Sequence, residues 1–142
     1  HPGLPRFMAI CLLSGHGWLT LTALLTVLKW PQSSGVVYDA TLHSFFLGFV
    51  FSMIFGHAPV IFPAVLGLSV QYRWTAYAPL VVLHASLVAR LLGDLMGAAT
   101  WRTWGAVGNA VAVGLFLVNT VASILLSRSP LPAKIRKKPA RI

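Results

Sequence analysis

Apolar residues run through this chain in four long blocks, and the polar positions between them fall where a chain would turn. The blocks cover residues 7–28, 40–68, 76–95 and 104–126. Each reaches or exceeds the roughly 20 residues of helix that cross a bilayer at about 1.5 Å per residue. Between them stand Lys29-Trp30-Pro31-Gln32-Ser33-Ser34-Gly35, Gln71-Tyr72-Arg73-Trp74 and Thr100-Trp101-Arg102-Thr103, turn and interface residues in each case. The pattern predicts an all-α fold: an integral membrane four-helix bundle over residues 1–127, then a flexible Pro-containing basic tail over residues 128–142. No internal repeat is evident.

The second block is about nine residues longer than a minimal span, and Pro59 and Pro63 follow Gly56 inside it. A strongly tilted, proline-kinked helix is expected there, in preference to a broken one, which would leave carbonyls unpaired at membrane depth. Within this block Leu47, Val50, Ile54 and Ile61 follow an alternating three-and-four spacing, which predicts a stripe directed into the bundle. Ser44, Gly48, Ser52 and Gly56 form a separate small-residue row at every fourth position, a pattern that lets another helix approach closely.

Composition reinforces the membrane reading. With 57% hydrophobic and 9% charged residues and a mean hydropathy of +0.80, the chain is excluded from the ordinary soluble classes. The net charge of +9 would suggest nucleic acid in a soluble protein, but here Arg128, Lys134, Arg136, Lys137, Lys138 and Arg141 gather in the tail. Such a tail faces the cytoplasm and anionic lipid, so no nucleic-acid partner is expected. Four crossings then put both ends and the Arg73 loop in the cytoplasm, with the Lys29–Asp39 and Arg102 loops outside, in a multi-pass inner (plasma) membrane protein. Cys11 is alone and reads as a small core residue.

Against this background four histidines stand out: His16, His43, His57 and His84 all lie in apolar blocks. An imidazole in hydrocarbon is costly, and membrane chains that keep several commonly use them on a cofactor or ion. Counted from the inner boundaries, His16, His84 and His57 fall at roughly 14, 12 and 16 Å of depth, a shared level, while His43 lies about 5 Å from the outer boundary. His43 and His57 are separated by about 21 Å and, on an unbroken helix, by about 40°. Two imidazoles so placed can each ligate one of two stacked haems. Thr20 and Ser86 are candidates to hold the second ring nitrogens.

Other chemistries are less well furnished. His16, His57 and His84 could serve zinc or copper, but no Cys, Asp or Glu stands near in sequence to complete a signature. The only acids are Asp39 and Asp94. Arg90 and Asp94 have the i,i+4 spacing of an intrahelical ion pair, and Arg90 could alternatively meet a haem propionate bidentately. Asn109 and Asn119 in the histidine-free fourth block read as interhelical hydrogen-bond formers.

The run from His43 through Gly48, Met53, Gly56 and His57 to Pro59 and Pro63 resembles a helix of the haem-copper oxidase and nitric oxide reductase catalytic subunits, and of NnrS-type haem membrane proteins. The resemblance covers residues 41–67 and implies that His43, the outer histidine, ligates a low-spin haem b. The chain has fewer spans than those subunits, and neither a His-His pair for copper nor their His–Tyr motif is found. Oxygen or nitric oxide reduction by this chain alone is therefore not expected, and the sequence points away from an enzyme.

The leading expectation is a membrane protein that holds b-type haem between its first three helices, where His16, His57 and His84 would meet, active in electron transfer or diatomic-gas handling in a respiratory setting. His57, His84, His16 and His43 are its candidate iron ligands, with Arg90 on the cofactor. The alternative is an accessory subunit of a larger respiratory or photosynthetic complex, or a homo-oligomer, with chlorophyll-type pigment on its histidines or none. A small transporter is disfavoured by the lack of an inverted repeat and of polar residues along a path.

Overall fold

A computed structural model describes residues 3–28, 34–67 and 72–127 of the chain. The basic tail and the stretch from Lys29 to Ser33 lie outside the described residues. Four helical spans long and apolar enough to cross a membrane are present: Gly3–Leu28, Val36–Val65, Trp74–Met96 and Ala99–Leu126. The first is α1 (Gly3–Leu28). The second joins α2 (Val36–His43), a π-helical segment (Ser44–Val50) and α3 (Phe51–Leu66) without interruption. The third is a 3₁₀ turn (Trp74–Ala76) leading into α4 (Tyr77–Met96), and the fourth is α5 (Ala99–Ser127). The expected four-helix membrane fold is therefore present.

Small residues decide which helix faces meet. Ser44 and Ser52 have no exposed surface, and Gly48 and Gly56 are buried with them. A Cβ on Gly48 would run into the Trp18 ring, and one on Gly56 would come 2.9 Å from Cys11 Cβ. Gly15 answers from α1, facing Ser52 and Met53. The row predicted to admit a neighbour thus receives the first span, and Thr22 Oγ1 and Ser44 Oγ add a hydrogen bond of 2.9 Å across that seam.

The π segment keeps this row straight. In an α-helix a four-residue step overshoots one turn by about 40°, so a row at every fourth position drifts off its partner. The wider π turn, in which the Phe51 N–H donates to the Phe46 carbonyl five residues back, turns less per residue and so counters that drift along the row. It also undoes the expected histidine geometry, because the 40° offset between His43 and His57 assumed a continuous 3.6-residue period. The irregularity of the long span is this π segment together with Pro59 and Pro63, which sit inside α3 where each withholds one backbone donor. The span does not break.

The large apolar stripe behaves differently from its prediction. Leu47 packs against both core clusters, but Ile54 and Ile61, beyond the π segment, are 42% and 49% exposed. They face the space that lipid fills. Lipid tails are as apolar as Ile, so periodic large side chains carry no preference for the bundle interior, whereas small residues do.

The third and fourth spans form the tightest pair. Gly105 sits on the Arg90 backbone and Gly108 on Ser86, while Gly93 faces the Trp101–Arg102 peptide. Their turn is shorter than expected. Gly97, at φ 65°, ends α4, with Ala98 N–H donating to the Gly93 carbonyl (2.9 Å) and Gly97 N–H to the Asp94 carbonyl (3.4 Å), a Schellman closure. α5 begins at Ala99, so Thr100 to Thr103, expected as a loop, are its first turns. Phe55 and Phe116 stack at 4.3 Å and 12° to join the second span to the fourth, inside a cluster with Phe7, Cys11, Leu80 and Leu83.

This packing makes two glycines unequal. Gly105→Ala would place a methyl 2.6 Å from the Arg90 nitrogen, whereas a Cβ on Gly114 meets nothing within 4 Å. In detergent unfolding, Gly105→Ala is expected to lose about 1–3 kcal/mol and Gly114→Ala to be neutral or slightly stabilising.

Candidate functional site

Hydrogen bonds sort the four histidines into two kinds. His16, His43 and His57 each direct Nδ1 at the carbonyl four residues back on the same helix: Leu12 at 2.7 Å, Asp39 at 2.8 Å and Met53 at 2.7 Å. A carbonyl only accepts, so Nδ1 carries the hydrogen and a neutral ring is left with a bare Nε2. No partner for that nitrogen is present among the described residues in any of the three. This is the orientation that metal-ligating imidazoles adopt.

His84 is the opposite case. Trp18 Nε1 donates to its Nδ1 at 2.8 Å, and indole is a donor only, so Nδ1 is the accepting nitrogen. Nε2–H then donates to Ser14 Oγ at 3.1 Å, and the Ser14 hydroxyl donates onward to the Ile10 carbonyl at 2.8 Å. Both nitrogens are occupied, and the chain of bonds ties the third span to the first. Ser86 and Thr20, expected to hold imidazoles, instead bond Asn109 and the His16 carbonyl.

The expected meeting of His16, His57 and His84 is not formed. His84 lies level with Ser14 and Trp18, hence with His16, but two residues either way is about 200° around a helix, so His16 points to the far side of α1 and is exposed. Along the seam Gly15 meets Ser52 and Gly56 meets Cys11, which staggers His57 from His16 by about 9 Å of depth. His57 is half-buried on the lipid-facing side with Ile54 and Ile61. Among the described residues no three His, Cys, Asp or Glu side chains are grouped to hold a metal ion.

What does converge is charge. Both acids of the chain, Asp39 and Asp94, lie at the Gly97 end of the bundle with Arg90, Arg102 and His43. Arg90 reaches across to the second span, its Nη2 donating to Asp39 Oδ2 at 3.0 Å. The alternative of an Arg90–Asp94 pair within one helix is not taken: Asp94 Oδ1 faces Arg102 Nη1 at 3.6 Å. The Asp39 carboxylate also stands 3.4 Å from His43 Nδ1. Asp94 has a buried carboxyl and Arg90 a buried Nε, neither with a hydrogen-bond partner among the described residues. His43 and Asp39 are 27% and 39% exposed, so this group opens sideways out of the bundle.

Asp39 in this site and Trp18 beside His84 were both missed in the sequence. Asp39 was visible there as an i,i+4 partner of His43, and Trp18 as an indole donor at mid-membrane needing an acceptor. The interhelical roles expected for Asn109 and Asn119 are present, as they accept from Ser86 at 2.7 Å and Thr75 at 2.8 Å. At the opposite end of the bundle Phe7, Phe55, Phe62 and Phe116 wall an interior cavity of about 30 Å³, room for a water or two. Tyr72 lines it, its phenol pushed up to about 12 by burial and by its hydrogen bond with Tyr77, so it stays neutral through the physiological range.

Fold and site together define a polytopic, all-helical membrane protein with a lateral charged site and outward imidazoles. The chain belongs to the family described as Domain of unknown function (DUF8744), whose model matches residues 1–125. No curated protein and no solved structure matches it.

Trp18→Phe leaves an aromatic ring, smaller than indole, and removes the donor to His84. It is expected to lower stability by roughly 0.6–1.7 kcal/mol, the range of interhelical hydrogen bonds in membrane proteins. Ser14→Ala in the Trp18→Phe background should add less than it does alone, which a double-mutant cycle in detergent would read.

Proposed function

We propose that this protein is a membrane subunit that holds a b-type haem through His43, in electron transfer or diatomic-gas handling in a respiratory setting. The observation that carries the reading is the state of that imidazole. Its Nδ1–H is fixed on the Asp39 carbonyl, a carboxylate stands 3.4 Å away, and Nε2 is bare. A carboxylate beside the non-ligating nitrogen raises the basicity of the ligating one. Arg90 and Arg102 supply guanidinium groups at the same end, and Arg102 is 54% exposed, suited to propionate carboxylates. The haem itself would supply the redox or gas-binding chemistry.

Among the described residues the interior cavity walled by Phe7, Phe55 and Phe116 is about 30 Å³, too small for a macrocycle. A haem held by His43 would then lie against the outside of the bundle, where another chain or the gas would supply whatever further ligand its iron takes. His16 and His57 support the same multi-subunit setting, because bare imidazole nitrogens turned toward hydrocarbon call for a covering neighbour. That observation favours a second reading, an accessory subunit of a larger membrane complex or a homo-oligomer, in which His16 and His57 carry haem or chlorophyll-type pigment at the contact.

Charge favours the orientation read from the sequence. Arg6 and Arg73 stand at one end, where the six Lys and Arg of the tail also follow α5, against Arg90, Arg102 and the Lys29 that follows α1 at the other. The positive-inside rule puts the Arg73 end and the C-terminus in the cytoplasm of a bacterial-type inner membrane.

An absorption spectrum of the detergent-purified protein tests the proposal. Reduced-minus-oxidised haem b bands are expected, lost in His43→Ala and kept in His84→Gln, with haem held roughly 10–100-fold more weakly in Asp39→Asn. Bands unchanged in His43→Ala would remove the assignment; bands lost in His16→Ala or His57→Ala, or pigment absorption in the red, would favour the second reading.

A further inference from the structure

At the Arg73 end, away from the charged site, an open groove of about 330 Å³ runs between the third and fourth spans. Its walls are mostly apolar, from Ala78 on α4 and from Leu115, Val118 and Ala122 on α5, with Asn119 and Ser123 among them, and its mouth carries Arg73 and Thr75. From Leu115 to Ala122 the groove follows about 10 Å of helix into the membrane. The Arg73 guanidinium is exposed and has no ion-pair partner among the described residues. Both carboxylate side chains of the sequence, Asp39 and Asp94, are engaged at the other end.

We propose that this groove is a binding site for an anionic phospholipid, with an acyl chain along Leu115, Val118 and Ala122 and the phosphodiester at Arg73. The joined shape decides the ligand. An apolar trough continuous with a cation at the interface complements an amphiphile with a negative head. Free phosphate would gain nothing from the trough, and a zwitterionic lipid would gain less from the cation. The site is independent of His43 and stands whether or not haem is held there.

Native mass spectrometry of the full-length protein in detergent, with phosphatidylglycerol and phosphatidylcholine of identical acyl chains in competition, tests it. Retention should favour phosphatidylglycerol. Arg73→Gln should reduce that preference roughly fivefold, the effect of one cation near anionic lipid. Val118→Trp, which fills the trough, should reduce retention of both lipids. Replacing Lys134, Arg136, Lys137 and Lys138 by Gln should leave the preference in place, and inorganic phosphate should not displace the lipid. Equal retention of the two lipids, an unchanged preference in Arg73→Gln, loss of preference in the tail variant instead, or displacement by phosphate would each overturn the proposal.

Discussion

A bundle surrounded by hydrocarbon cannot be held together by hiding apolar surface, because its surroundings are as apolar as its interior. The constraint on this protein is therefore close approach: spans must come near enough for dispersion contacts and a few polar bonds to outweigh contact with lipid. Gly48, Ser52 and Gly56 against α1, and Gly105 and Gly108 against α4, are where that happens. The other features follow. The π segment keeps the first row in line, the Schellman turn at Gly97 brings α5 back at once onto α4, and the aromatic stack of Phe55 on Phe116 fills the remaining gap.

Polar bonds then join what the glycines have paired. Ser86 to Asn109 and Thr75 to Asn119 lie inside the α4–α5 hairpin, and Thr22 to Ser44 lies inside the first hairpin. Among the described residues Trp18 to His84, His84 to Ser14, and Arg90 to Asp39 run between hairpins. Membrane hydrogen bonds contribute about 0.6 kcal/mol each on average. Such links select one relative placement of the hairpins more than they hold it. His84 is used up in that task, and the imidazoles left with a bare nitrogen are the ones the bundle does not need.

The same constraint explains which residues could be read from the sequence. The four spans, the small-residue row and the roles of Asn109 and Asn119 were legible, because length, hydropathy and small or amide side chains mean the same thing in any membrane protein. The inward face of the second span was not: Ile54 and Ile61 follow a periodicity that has meaning in water and none in lipid. The shared depth of His16 and His84 was legible, but which side of a helix each faces depends on packing, and the π segment changed the rotation between His43 and His57. Arg90 was paired with Asp94 by a local spacing rule, while the structure takes Asp39, fifty-one positions away in sequence. The turn at Gly97 lay hidden because Trp101 and Arg102 resemble loop residues, though the glycine itself was the signal.

The Arg90–Asp39 bond has a consequence for biogenesis. An arginine in a span entering the bilayer alone carries a penalty of about 2.5–3.5 kcal/mol at the helix centre, less toward an end. Its counter-charge is borne by the preceding span, which emerges from the ribosome earlier. The first hairpin can thus settle unaided, whereas the third span is admitted most readily with Asp39 already waiting beside the lateral gate, so the order of translation matches the electrostatic need.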